Sequence, residues 1–246
     1  MVHQSREAGT RQQEASRRRE RAYRILDATS ALIQRWGYNK TTLDDVSREA
    51  GVPKSTIYLH WKTREELFAA LMERERIEMV EDFKQSLAED PAGATLRGML
   101  KYTALALMKR PLLKALFLRD MEVIGKLAHS ELSSAAYTER LEGFKAYLEF
   151  LCEYGLIRTD LSLKAQLYMF SAITTGFLLI GPWMPDEFTF SDEELVELMA
   201  ETVHCTLESD RSASSDELQS ISHTFVEYLD HTLATIQAQF DQELGG

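Results

Sequence analysis

Along most of the chain apolar side chains recur three and four positions apart, the spacing that lines one face of an α-helix. In the first such stretch Ile25, Ala28, Leu32, Ile33 and Trp36 share a face, and Gly37 follows as a C-cap. Ahead of it, residues 1–16 are polar and aperiodic and predict a disordered arm. Leu43, Val46 and Ala50 mark a second helix, opened by Thr42 with Asp45 three residues on and closed by Gly51. Pro53 suits the first turn of a short third helix over 53–60, where its missing N–H needs no partner. Thr63 and Glu66 have the capping-box spacing for a long helix over 64–89, which Asp90-Pro91 ends.

Further helical patterns cover 94–110, 112–127, 134–155, 162–181, 192–208 and 216–243. The stretch 162–181 is apolar nearly all round, which predicts burial on most sides. The last carries Leu218, Ile221, Phe225, Leu229, Leu233, Ile236 and Phe240 on one face and would reach ~40 Å at 1.5 Å per residue. It is expected either to join a dimer interface, the favoured reading, or to fold over its own subunit. No β-period stretch of useful length and no internal repeat is present. The fold class is all-α. Residues 1–16 are an arm, 17–64 a small helical head together with the start of the connecting helix to about 72, and 73–246 a larger helical body.

Composition agrees: 12 Gly and 5 Pro are few breakers, and 44% hydrophobic residues supply a core. Cys152 and Cys205 match no metal or redox spacing and suit a reducing cytosol. The N-terminus has no apolar run after its charges, and Phe177–Met184 is too short to span a bilayer, so a soluble cytoplasmic protein with no membrane association is expected. The net charge of −11 is unevenly spread. Residues 1–64 carry 13 Lys+Arg against 7 Asp+Glu, whereas the remainder carries 15 against 32. A basic head on an acidic body points to a polyanionic partner for the head.

Within the head, residues 48–67 read REAGVPKSTIYLHWKTREEL. Two short helices joined by a tight turn at Gly51-Val52 have helix-turn-helix spacing, the second helix being the one that enters a major groove. That helix offers Lys54, Ser55, Thr56, Tyr58 and His60, while Ile57 and Trp61 point into the core. Lys62 follows within reach of phosphate, and the helix start at Thr63 presents free N–H groups to an anion. No G-x-S-x-G, P-loop, dinucleotide fingerprint or Cys-x-x-Cys is found, so an enzyme is not expected. His223, Glu227 and His231 recur every four residues on the last helix, and they read as a solvated face rather than metal ligands. Neither metal nor cofactor is expected.

Residues 25–71 resemble the DNA-binding domain of the tetracycline-repressor (TetR) family. The resemblance rests on Trp36-Gly37-Tyr38, Thr41-Thr42, Ala50-Gly51-Val52, Ser55-Thr56-Ile57-Tyr58, and Trp61-Lys62 before Thr63 and Glu65-Glu66-Leu67. In that family Phe is commoner than Trp at positions 36 and 61, changes expected to keep an aromatic core, and Ser is usual where Pro53 stands. The resemblance implies that Thr42, Tyr58, His60 and Lys62 grip phosphates and that Lys54, Ser55 and Thr56 face bases. Arg17, Arg18 and Arg19 either reach a neighbouring minor groove or begin a solvated helix. It also implies a double-stranded DNA operator with palindromic half-sites, and a homodimer paired through 162–181 and 192–208. A small apolar or amphipathic effector is implied in a pocket among Tyr102, Met108, Phe117, Met121, Tyr137, Phe144, Tyr147, Tyr168, Phe170 and Phe177. A ligand-responsive repressor is the leading expectation. An activator, or a protein of this fold that chiefly binds another protein, remains open.

Overall fold

The first helix of the computed structural model, α1, spans Val2–Trp36, and the structure describes residues 2–118 and 135–245. Residues 2–16, expected as a disordered arm, are therefore helical. The segment has no Pro and is rich in Arg, Gln, Glu and Ala, all of them good helix formers, so α1 continues backwards through it. α2 (Leu43–Ala50), α3 (Lys54–His60) and α4 (Arg64–Glu89) follow, close to the predicted boundaries. The head core is made of Ile25, Leu26, Leu32, Val46, Ile57, Trp61, Leu67 and Phe68, all nearly inaccessible.

Trp36 departs from expectation: it is 42% exposed, with the Arg35 guanidinium over its ring. Gly37, at φ 78°, turns the chain out of α1, and Tyr38 folds back in its place. Tyr38 is 2% exposed and packs on Phe68 with ring centroids 4.8 Å apart. Arg64 caps this pair, 4.4 Å above the Tyr38 ring, and donates to the Thr41 carbonyl at 3.2 Å.

α4 leaves the head and carries the chain into the body. Asp90 ends it, accepts from the Ala92 N–H and from the Tyr102 hydroxyl, and opens a 3-10 turn over Pro91–Ala94. α5 (Leu96–Met108) crosses this turn at Gly98, where a Cβ would lie 2.2 Å from the Ala92 carbonyl oxygen, so only glycine permits the crossing. α6 (Pro111–Phe117) follows; the rest of the helix predicted over 112–127 lies outside the described residues. α7 (Ala135–Glu153), α8 (Leu163–Ile180), α9 (Asp192–Leu207) and α10 (Ser215–Gly245) complete the chain. Among the described residues there is no strand, only an isolated bridge between Ile157 and Glu208.

A charged joint ties head to body. Arg74 of α4 is buried and pairs with Asp27 of α1 at 2.6 Å; next to it, within the body, Arg110 at the start of α6 pairs with Asp82 of α4 at 2.8 Å. Glu75 lies beside them, its carboxyl pushed up by burial and then by Glu78.

α8 is not buried on most sides. Among the described residues it buries only Gln166, Thr174 and Leu178, while Tyr168, Leu179 and Ile180 are exposed. Phe170 packs on Phe144 at 4.6 Å and fixes the inward face, so the outer apolar residues have no cover among the described residues. The segment after α8 continues this surface with Trp183 at 83% exposure, Met184, Phe188 and Phe190, and α9 adds Leu198. The apolar stretch is also longer than Phe177–Met184: Leu163–Trp183, mean hydropathy 1.3, has the length and composition of a membrane span, with 17% of its window buried.

α10 takes the second of its two expected courses and folds over its own subunit. It packs along α4 and the 3-10 turn and reaches α1. Its apolar face, through Ile221, Leu229, Phe240 and Leu244, is buried there.

Candidate nucleic-acid interface

The angle between α2 and α3 is set by local hydrogen bonds. Thr42 and Asp45 form a complete capping box at the start of α2. Gly51, at φ 64°, ends α2 in the left-handed region, which costs a residue with a Cβ more than glycine. The Ser47 hydroxyl donates to the Val52 carbonyl at 2.6 Å and staples the turn. Pro53 starts α3 with no side-chain cap, as its lack of a hydroxyl predicts. Behind α3, Ile57 and Trp61 are buried at 0% and 4% exposure, which fixes which face of the helix looks outward. The Thr63 hydroxyl accepts from the Glu66 N–H at 3.1 Å, but the Glu66 carboxylate takes the N–H of Lys62 rather than that of Thr63.

The outward face carries Ser55, Tyr58, Leu59 and Lys62, with Lys54, Thr56 and His60 half-buried at its edges. Tyr58 is 41% exposed and so is not a core aromatic. Leu59, 65% exposed, is an apolar neighbour of this face that sequence reasoning passed over. Lys62 lies along the end of α3, its Nζ donating to the Tyr58 carbonyl at 3.3 Å. Two of the polar groups are already engaged. Thr42 gives its hydroxyl hydrogen to Asp45 at 2.6 Å, and Lys54 Nζ bonds Asp44 at 2.9 Å, which raises the ammonium pKa.

Two arginines of α1, Arg18 and Arg21, act on α3. Arg18 Nη2 donates to the Leu59 carbonyl at 3.2 Å, a contact between residues too distant in sequence for local spacing to signal. Arg18 and Arg21 also act on His60, whose imidazole is held below its usual pKa first by burial and then by these two positive charges. The His60 Nδ1 and Trp61 Nε1 are buried without a hydrogen-bond partner among the described residues. Arg17, Arg21 and Arg24, with Glu20, line a shallow depression of about 230 Å³ on α1. Arg17, Arg18 and Arg19 do not act as one arm: Arg17 is exposed, Arg18 is spent on Leu59, and Arg19 is paired with Asp241 of α10 at 2.7 Å.

The residues expected to line an effector pocket are scattered. Tyr102, Met108, Phe144 and Phe177 are half-buried against the body core. The Tyr102 hydroxyl is bonded to Asp90 at 2.6 Å and its pKa is pushed up to about 12, by burial first and by that bond second. Tyr147 is buried and donates to the Ala94 carbonyl at 3.0 Å. Phe117 is 45% exposed. Tyr168 stands 77% exposed on the outer face of α8, because Phe170, two residues on, occupies the opposite, inward face. Met121 and the Tyr137 side chain lie outside the described residues. His223 and Glu227 are exposed, and no group of three metal-ligating side chains occurs among the described residues.

Residues 25–71 match the family model of bacterial regulatory proteins of the tetR family. An uncharacterised HTH-type transcriptional regulator of Mycobacterium tuberculosis is 27% identical over 144 residues, 55% of this chain and 69% of that protein. The HTH-type negative transcriptional regulator IcaR of the Staphylococcus epidermidis biofilm operon is 34% identical over 50 residues, 20% of this chain and 27% of that one. Among solved structures, a protein of Rhodococcus sp. assigned to the TetR family of transcriptional regulators superposes with a TM-score of 0.55. At 21% identity, over 76% of this chain and 98% of that one, this likeness speaks for the fold alone.

Proposed function

The chain belongs to the TetR family of bacterial regulatory proteins and is a DNA-binding transcriptional regulator, and from that premise we propose that it is a ligand-responsive repressor that binds a palindromic operator as a homodimer. The observation that carries the reading is the two-sidedness of α3: Ile57 and Trp61 are sealed into the core while Ser55, Tyr58 and Lys62 stand outward on a head of net positive charge. In this reading Lys54, Ser55 and Thr56 face base edges, and Tyr58, His60 and Lys62 lie against phosphates. Thr42 contributes through the cap that holds α2, its hydroxyl being committed to Asp45. The relative named as a negative regulator favours repression.

A seven-residue helix reads few base pairs, so two heads are needed for a specific site. The uncovered face of Tyr168, Leu179, Trp183 and Leu198 supports pairing of α8 and α9 with a second copy. That assignment gives the apolar α8 a protein neighbour rather than a bilayer and goes with a cytoplasmic, nucleoid-associated protein. The effector would be small and apolar or amphipathic; Met108, Phe144 and Phe177, half-buried against the body core, are the candidates to meet it.

Selection of bound duplexes from a random DNA pool tests the reading. Recovery of an inverted repeat, with a mobility shift abolished by Tyr58→Ala, is the expected result. Recovery of no enriched sequence overturns it.

A further inference from the structure

α10 begins on the body and ends on the head. Near its start, Arg211 holds the preceding loop by donating to the Tyr154 carbonyl and pairing with Glu217. Next, Phe225 stacks on Tyr147 of α7, centroids 4.6 Å apart at 19°, and meets Phe83 of α4 edge-on at 5.7 Å. Asp230 then pairs with Lys84 of α4. Fifteen residues beyond Phe225, or ~22 Å along a helix, Phe240 meets Tyr23 of α1 edge-on at 6.2 Å. Phe240 and Leu244 are each 1% exposed, and Asp241 pairs with Arg19 at 2.7 Å. The order of these contacts runs α10 back along α4 to the head.

The same stretch of α1 touches the reading helix. Arg18, adjacent to the Arg19 that Asp241 holds, donates to the Leu59 carbonyl of α3. The end of α10 is therefore one residue removed from a contact that fixes α3. α4 is the covalent link between head and body, joined to α1 by the Arg74–Asp27 pair; α10 adds a separate, non-covalent hold on α1 through Phe240 and Asp241, and two struts resist a rocking that one would allow. We propose that Phe240, Asp241 and Leu244 are positioning residues for DNA reading: they hold α1, and through Arg18 hold α3, in one pose relative to the body. This rests on the operator reading of α3 and adds to it a strut that sets the distance and tilt between the two heads of a dimer.

The test uses the full-length protein. Hydrogen exchange on the DNA-free Phe240→Ala variant should show α1 and α3 exchanging roughly tenfold faster, with α5 and α9 unchanged. With duplexes recovered from the random pool, inserting one base pair between half-sites should weaken the parent strongly and Phe240→Ala much less, because an untethered head tolerates altered spacing. A loss of packing alone would not change that ratio. Arg19→Asp and Asp241→Arg, each alone, should relax the spacing requirement, and the double swap should restore it; this pair keeps the question answerable if Phe240→Ala does not fold. Unchanged exchange in α1 and α3, a uniform rise across the body, or an unaltered spacing ratio overturns the proposal. Localised exchange changes without any enriched DNA would instead sink the operator reading and leave the strut standing.

Discussion

Lys54, the first residue of α3, is bonded through its Nζ to Asp44 of α2 at 2.9 Å. Both side chains are well exposed, so the pair contributes little to folding. Its importance lies in what it withholds: in the proposed reading of α3, its leading cation is partly neutralised before DNA arrives, by a carboxylate that would itself face the polyanion. Asp44→Asn should tighten binding to any duplex by roughly threefold to tenfold and narrow the gap between selected and random sequence. Titration of both duplexes at fixed salt checks this; weaker binding would show that Asp44 orients Lys54 productively.

Lys62→Ala should weaken binding to all sequences alike and reduce the slope of log affinity against log salt by about 1, as expected for loss of one phosphate contact. Tyr58→Phe separates ring from hydroxyl. A loss comparable to that of Tyr58→Ala assigns the contact to the hydroxyl, which is free to donate in the exposed Tyr58.

His60 gives the protein a pH dependence with a definite sign. Burial, then Arg18 and Arg21, hold its pKa low, so in the free protein the imidazole is neutral at pH 7. The unfolded chain takes up the proton first as pH falls below about 6.5, so this group lowers folding stability on acidification. Phosphate placed at Arg18, Arg21 and His60 would offset the positive field and raise the pKa, so binding would take up a proton. Operator affinity should therefore strengthen from pH 8 towards pH 6, and His60→Gln should flatten the profile.

Leu198→Glu places a charge on the uncovered face of α9, among Glu193, Glu194 and Glu197. The expected outcome is a monomer by light scattering at concentrations of order micromolar, with an unchanged helical circular dichroism spectrum. A persisting dimer would move the interface elsewhere.

The parts of the molecule that local chemistry decides were legible in the sequence. Thr42 with Asp45, Gly51, Pro53 and Thr63 punctuate the head, and α2, α3 and α4 begin and end where these residues place them. Burial of Ile57 and Trp61 followed from spacing alone. Contacts between distant segments were not legible. Arg64 under Tyr38, Arg18 on Leu59 and Arg19 on Asp241 join residues 23 or more apart, and nothing in the neighbourhood of either partner announces the other. Trp36 and Tyr38 show the same limit within one turn: either aromatic satisfies the pattern, and only the path of the chain after Gly37 decides which is buried. Helix α8 misled for another reason: an apolar circumference does not say whether a neighbour belongs to the same chain. The proposed ligand pocket suffers from both, since Tyr168 and Phe170 sit on one helix and face opposite ways.

The return of α10 to α1 also orders events during synthesis. The head, complete by about residue 72, leaves the ribosome first, and domains of this size fold as they emerge. Phe240 and Leu244, which pack against it, are among the last residues made. Until α10 is made, the head is formed but held to the body, among the described residues, only by α4 and α6. A chain released by premature termination in α10 would carry an intact reading surface without its α10 mooring. On the strut proposal, such a product would compete for DNA while lacking the fixed head spacing on which selectivity would depend.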